Sequence, residues 1–541
     1  MPTVADKIYI GKILTLDENN MYPEAVSIKD GKILEAGTLE EVFSSKGEYT
    51  EIVEIKEGVL APAFIDAHGH FGIEVLVAGW IDIQAPPYGE CSDIDSIIAK
   101  LKKEIEVKRI EPGDWVVGFG YYNDELKEKR HPNRYDLDMI SKNHPIVIWH
   151  ASLHFCACNS KALEMMGLDN NTENPYGGEF CRDEAGELTG VCIGTARYKV
   201  VASLPQLTME KKIENLKKAE DLYFKYGVTT IQDGGTRPDD VALFKYAMER
   251  DVFRADIVCY PMIDRENIVE NSGIPVNEYK NRVKIGGIKM VADGGFAGTV
   301  KLSKPYNVVE DGKPADYTGL MYETRENMDE FLKYGFENDI ATMIHASGDA
   351  CIDMVLDSYE EQSAKLNVDL NKRRDILLHY TFPRLEQADR VGRLKMFPSL
   401  LSPRVYFARQ KDIDRYGEER FSRMCPSSQF VEKGMRFSLH MDAPMYPPHI
   451  MPIMHGAVNR KSIEGIDIGS EYRISALDAL KAVTINAAYQ YREENIKGTI
   501  EKGKMADLVI LNKNPLEVEQ MDIINIEVLE TIKEGVTVFK A

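Results

Sequence analysis

Two histidines separated by one residue, His68-Gly69-His70, close an apolar run that reads AFIDAHGH over 63–70. Residues two apart on an extended strand point to the same side, so both imidazoles can face one point and hold one ion. Three later apolar, β-rich runs end in side chains able to join them: ATMIHASGD (341–349) with His345, DILLHYT (375–381) with His379, and RFSLHMDAP (436–444) with Asp442. Neutral imidazole and carboxylate suit divalent ions, zinc foremost, while manganese, iron and nickel accept similar sets. A catalytic site of this kind leaves a position for water, whose pKa the ion lowers to about 7. Asp442 is then placed as a general base that later returns the proton to a leaving amine. Each residue alone has a plainer role: a histidine is commonly a hydrogen-bonded structural residue, and an aspartate commonly caps a helix. Joint placement at the ends of four strands is what points to a metal. Lys289, in VKIGGIKMVADGG (283–295), either joins the site or pairs with Asp293 or a carboxylate elsewhere.

These side chains need a frame. Eight apolar runs can be counted, the other four being VTTIQDGG (228–235), RADIVCYPMI (254–263), the Lys289 run itself and MFPSLLSPR (396–404). Helix-length segments with three-and-four apolar spacing, such as 326–338 and 351–366, lie between most of them. Strand alternating with helix marks a parallel sheet, and eight such units close a barrel whose functional groups gather at the carboxyl ends of its strands. The predicted fold class is therefore α/β, a TIM-type (β/α)8 barrel over 61–490. Residues 1–60 and 491–541 read instead as short antiparallel strands with turn pairs such as Asp30-Gly31. They predict one composite β-sandwich built from both termini. Residues 84–205 carry their own strand and helix signals (DWVVGFG, PIVIWHA, NSKALEMMG) and predict a subdomain inserted after the first barrel strand, over its mouth.

Composition narrows the partners. Across 541 residues, 66 Lys and Arg against 87 Asp and Glu leave a formal charge of -21, which argues against a nucleic-acid partner. The sequence shows no secretory leader at its start and no run of ~18 apolar residues that could span a bilayer. The expectation is a soluble, cytoplasmic protein with no membrane partner and a small-molecule substrate. The eight cysteines form no disulfide pattern, and Cys156 and Cys158 are too close for paired zinc-knuckle ligands, so reduced thiols are expected.

LAPAFIDAHGH resembles the P-x-F-I-D-x-H-x-H opening of the amidohydrolase superfamily. The chain is similar throughout to its amidohydrolase-3 group, which includes the YtcJ-like proteins and N-substituted formamide deformylase. IKMVADGGFAGT, HASGD and DAP resemble that group's motifs on strands four, five and eight, and WVVGFGYYND, CNSKALEMMG and GTIEKGKMADLVIL follow in the expected order. The resemblance implies a barrel with a composite sandwich, metal ligation by His68, His70, His345 and His379, and proton transfer by Asp442. It also implies that Lys289, if carbamylated, bridges two ions; unmodified, it leaves a single ion held by fewer histidines. His440 departs from the small residue of relatives, the loop reads His-Gly-His-Phe, and Ser152-Leu153 precede His154. His154, His440, Trp80 and Tyr122 either line a substrate pocket or serve packing. The function implied is hydrolysis of a small N-substituted amide or formamide. Deamination of an aminated heterocycle and a non-catalytic binding or regulatory barrel are the alternatives, and relatives of this size suggest a homodimer.

Overall fold

The Asp30-Gly31 pair does turn the chain in a computed structural model of the protein, which describes residues 3–262, 268–295, 298–309 and 312–541. Ile263, ending one predicted strand, and Phe296 and Ala297, inside the strand-four motif, lie outside the described residues. Asp30 and Gly31 take φ of 49° and 74°, the positive values of a two-residue hairpin turn, and join β2 (Ala25–Lys29) to β3 (Lys32–Gly37). With β1 (Lys7–Ile13) and β4 (Glu51–Pro62) these strands share a sheet with three from the far end of the chain, β20 (Leu508–Leu511), β21 (Val528–Lys533) and β22 (Val536–Lys540). The order is β22-β21-β20-β4-β1-β2-β3. β4 is the seam, parallel to β1 and antiparallel to β20. Tyr9, Val26, Leu60, Leu508 and Ile532, drawn from both ends, pack in one apolar cluster.

The intervening chain supplies two parallel sheets. One runs β14 (Val283–Ile285), β13 (Asp256–Pro261), β12 (Val228–Thr236), β5 (Phe64–Ile65). The other runs β15 (Ile288–Val291), β16 (Thr342–Gly348), β17 (Ile376–Phe382), β18 (Phe397–Leu400), β19 (Ser438–Leu439). Single parallel bridges, Met262 with Lys289 and Gly69 with Ala443, join residues that extend the two sheets. β13 and β17 are buried at every residue, as strands covered on both faces must be. The helix Arg325–Glu337 starts at Thr324, whose hydroxyl accepts from the Asn327 amide, and buries Met328, Phe331 and Leu332 at helical spacing. The helix Asp349–Lys365 follows β16 directly. The fold class is α/β.

Two predicted strands differ in detail. The first is only two residues long, because the Asp66 carboxylate accepts the His68 amide and turns the backbone aside. The fourth is split at Gly286-Gly287, where added Cβ atoms would lie 3.0 Å and 2.5 Å from the Tyr260 ring. Only glycine lets the strand pass that ring.

Two compact units result. The first comprises the chain through Gly72, Lys217–Ala443 and Pro448–Ala541; the second comprises Ile73–Leu216 and Pro444–Pro447, within which 84–205 lies. The second unit has its own sheet, β10 (Gly178–Arg182), β11 (Leu188–Gly194), β9 (Phe155–Cys158), β8 (Ile146–His150), β7 (Val116–Tyr121), β6 (Ile81–Asp82). Among the described residues no helix is long and apolar enough to cross a membrane.

In the first unit a buried charge network ties the terminal sheet to β13. Asp256 accepts from Lys497 and Lys533, each at 2.5 Å, and from Arg282 at 3.1 Å. Lys533 also reaches Asp507, and Lys497 reaches Glu493. Burial would raise the Asp256 carboxyl, but the two ammonium groups outweigh it and hold it far below the usual range. Replacing Asp256 by leucine removes the acceptor that Lys497 and Lys533 share, leaving them Glu493 and Asp507, and is expected to cost about 1–3 kcal/mol, read as a lower denaturation midpoint in guanidinium. An unchanged midpoint would show the network to be energetically neutral. Because folding lowers this pKa below its unfolded value near 3.8, the wild-type contribution is present at neutral pH and is lost as pH falls through and below that value.

Candidate metal centre

The loop after β5 and the residues after β19 are latched to each other by backbone bonds. Asp442 donates its amide to the His68 carbonyl at 3.0 Å, and His70 donates to Ala443 at 2.7 Å. This pairing sets three side chains facing one point: His68 Nε2 and His70 Nε2 each lie 3.3 Å from Asp442 Oδ1, and His68, His70 and Asp442 offer ligand atoms all within 4.8 Å of one another. His68 is fully buried, while His70 remains partly open. Asp442 takes a φ of 65°, a left-handed conformation sparsely used by non-glycine residues, which turns its carboxylate towards the two imidazoles. Gly234 of β12 is required beside them, since a Cβ there would lie 2.3 Å from the His68 ring.

The remaining predicted ligands stand alongside. Lys289 on β15 brings Nζ to 3.5 Å from His68 Nε2. The sequence-based alternative of a Lys289–Asp293 pair is not found; Asp293 instead accepts from His345 Nδ1 at 3.0 Å and from the Ser347, Gly348 and Lys301 amides. His345 and His379, on adjacent strands β16 and β17, have ring centres 4.4 Å apart, and His379 lies 5.4 Å from His68. His379 also has a left-handed φ, 71°. His440, read from sequence as a pocket-lining or packing residue, is buried inside this histidine cluster, with one nitrogen 3.0 Å from His379 Nδ1 and the other 2.9 Å from Ser399 Oγ.

Burial dominates the electrostatics. It drives the His68 imidazole down to about 3 and holds His379 and His440 well below the usual range, so all three are neutral, as ligation requires. It lowers the Lys289 amine to about 7.

An anionic oxygen in this position calls for a cation. Asp442 Oδ1 is buried and receives no hydrogen bond; its two 3.3 Å approaches to imidazole nitrogens lack hydrogen-bond geometry. A buried carboxylate oxygen without a donor is costly, and a divalent ion held beside it by the imidazoles offsets that cost. The donor set fits zinc and similar ions.

The other candidates belong to the second unit. Trp80 stacks on Trp149 with ring centres 5.8 Å apart, Tyr122 packs on His150 at 4.5 Å, and His154 is exposed. Cys156, Cys158 and Cys192 also gather there, but inside an apolar cluster with Phe119, Val147 and Leu163. Burial raises the Cys156 thiol well above its ordinary value, so it packs as a neutral apolar group. All eight cysteines are free. Residues that sequence reasoning missed are Gln232, Ser399, Ser438, Gln490 and Tyr491, polar groups buried around the histidines; a glutamine or serine inside an apolar strand carries no spacing signal of its own.

The chain is similar to known proteins over most of its length. The model of the amidohydrolase family matches residues 51–539. N-substituted formamide deformylase of Arthrobacter pascens is 24% identical over 97% of this chain and 96% of that protein. YtcJ of Bacillus subtilis (strain 168) is 26% identical over 98% of each. Among solved structures, an uncharacterized metal-dependent hydrolase from Pyrococcus horikoshii OT3 superposes with a TM-score of 0.75 at 24% identity, covering 95% of this chain and 99% of its own.

Proposed function

We propose, for a chain that belongs to the amidohydrolase family and is a hydrolase acting on carbon–nitrogen bonds, that it cleaves small N-substituted amides or formamides with a divalent ion, zinc foremost, held by His68, His70, His345 and His379. The carrying observation is the convergence of His68, His70 and Asp442 on one buried point with Asp442 Oδ1 left without a donor. When bound, the ion supplies a water of lowered pKa and polarises the reacting carbonyl. Asp442 accepts the water's proton at Oδ1 and returns it to the departing nitrogen, so that C–N cleavage releases a neutral amine. His68 and His379 stay unprotonated through the cycle because burial disfavours their charged forms. The lone bridges Met262–Lys289 and Gly69–Ala443 support closure of the two parallel sheets into an eight-stranded barrel, with these residues at its carboxyl end.

The test is to load the purified protein with zinc and incubate it with a panel of N-substituted formamides and acyl amines, measuring amine release. Release from at least one is expected; none from any would overturn the substrate class. Lys289 belongs to the same reading as a carbamylated bridge between two ions, supported by its burial beside His68 with no carboxylate partner among the described residues. Wild-type protein in bicarbonate is expected to hold two equivalents of zinc and Lys289→Ala one. Equal contents would remove the bridging role.

A further inference from the structure

The hydrogen bonds behind the two buried histidines run in fixed directions, and both sets begin at the same pair of residues. Tyr491 Oη lies 2.6 Å from the Asp66 carbonyl, which can only accept, so the phenol proton is spent there. Tyr491 must then accept from Gln232 Nε2 at 2.8 Å, and that same nitrogen donates to the Ala67 carbonyl at 3.0 Å. With the amide nitrogen so placed, Gln232 Oε1 faces His68 Nδ1 at 2.6 Å and accepts from it. Neutral His68 therefore carries its proton on Nδ1 and presents a bare Nε2 to Asp442 and Lys289.

The second set is longer and runs the same way. Gln490 Nε2 donates to the Ala67 carbonyl at 2.7 Å, so its oxygen accepts the Ser438 hydroxyl at 2.7 Å. Ser438 has one proton; its 2.8 Å contact with Ser399 is then donated by Ser399. Ser399 has in turn spent its proton, so His440 Nδ1 donates to it at 2.9 Å. Neutral His440 is bare at Nε2 and accepts from His379 Nδ1 at 3.0 Å, which leaves His379 Nε2 bare as well. His345 needs no such relay, because the Asp293 carboxylate accepts directly from its Nδ1.

We propose that Gln490 and Tyr491, at the end of the helix Ile485–Gln490, are positioning residues that fix the tautomers of His379 and His68, although neither touches the metal centre. Both sets anchor on backbone carbonyls immediately before His68, and the Ala67 carbonyl receives one amide from each. The inference rests on the metal reading above. Were either set reversed, the corresponding Nε2 would carry a hydrogen and could not ligate.

The test uses full-length protein in two states. In chelator-treated, histidine-labelled protein, ¹⁵N NMR reports which ring nitrogen bears the proton, with no ion needed. Wild type is expected to show His68 and His379 protonated on Nδ1. Gln490→Leu frees the Ser438 proton and is expected to shift His379 towards the other tautomer while leaving His68 unchanged. Ser438→Ala breaks the same relay by removing one hydroxyl and serves should Gln490→Leu fail to fold. Tyr491→Phe is expected to disturb His68 alone. Zinc affinity by chelator competition is expected to fall about 10–100-fold in Gln490→Leu and Ser438→Ala and less in Tyr491→Phe, where the Ala67 carbonyl still holds one of the two Gln232 amide hydrogens. Unchanged tautomers in all three variants would overturn the proposal. A wild type that binds no zinc but keeps the stated tautomers would overturn the metal reading and leave the hydrogen-bond directions standing.

Discussion

Asp442→Asn is expected to lower kcat for amide or formamide cleavage by about 10²–10⁴-fold, with zinc content per chain unchanged. Asparagine keeps the shape and an acceptor oxygen, and it tolerates the left-handed backbone that Asp442 adopts at φ 65°. What it loses is the ability to take the proton of the attacking water and return it to the leaving nitrogen. Because that interaction strengthens only as the bond breaks, kcat and kcat/KM are expected to fall together. Parallel measurement of metal content decides between roles. Loss of zinc along with activity would make Asp442 a ligand and leave the proton-transfer step without a residue.

The second large effect is on binding. His68→Ala with His70→Ala is expected to abolish stoichiometric zinc and, with it, the stabilisation that zinc confers. At zinc a thousandfold above its dissociation constant, an ion that binds only the folded state adds about 4 kcal/mol, a clear rise in Tm for wild type. The double variant is expected to show no rise. A wild type that neither retains zinc nor gains stability from it would overturn the metal reading of these histidines.

How much of this was readable beforehand varies with the physics. The parallel strands were legible because burial on both faces demands continuous apolar runs, as in β13 and β17. Those runs also located Lys289, His345, His379 and Asp442. The two-residue first strand was not legible, since it is cut short by one side chain-to-backbone bond from Asp66; nor was the break at Gly286-Gly287, which depends on a ring from another strand. His440 shows the limit most clearly. Its departure from the small residue of relatives was visible, but its place between His379 and Ser399 requires β17, β18 and the residues after β19 to be in register. Gln490 and Tyr491 lie more than a hundred residues from His379 in the chain, and no local pattern links them.

The seam at β4 sets a timetable for synthesis. β4 can pair with β1 as soon as both leave the ribosome, but its other edge, Val59–Pro62, is covered only by Leu508–Leu511. At roughly 5–20 residues per second, translation of the intervening chain leaves that edge uncovered for about twenty seconds or more. Val59, Leu60 and Ala61, fully buried in the finished protein, are meanwhile an open, apolar strand margin of the kind that recruits other chains. Nascent protein stalled or truncated before β20 should therefore be a substrate for chaperones and a seed for aggregation, even where its parallel sheets are already complete.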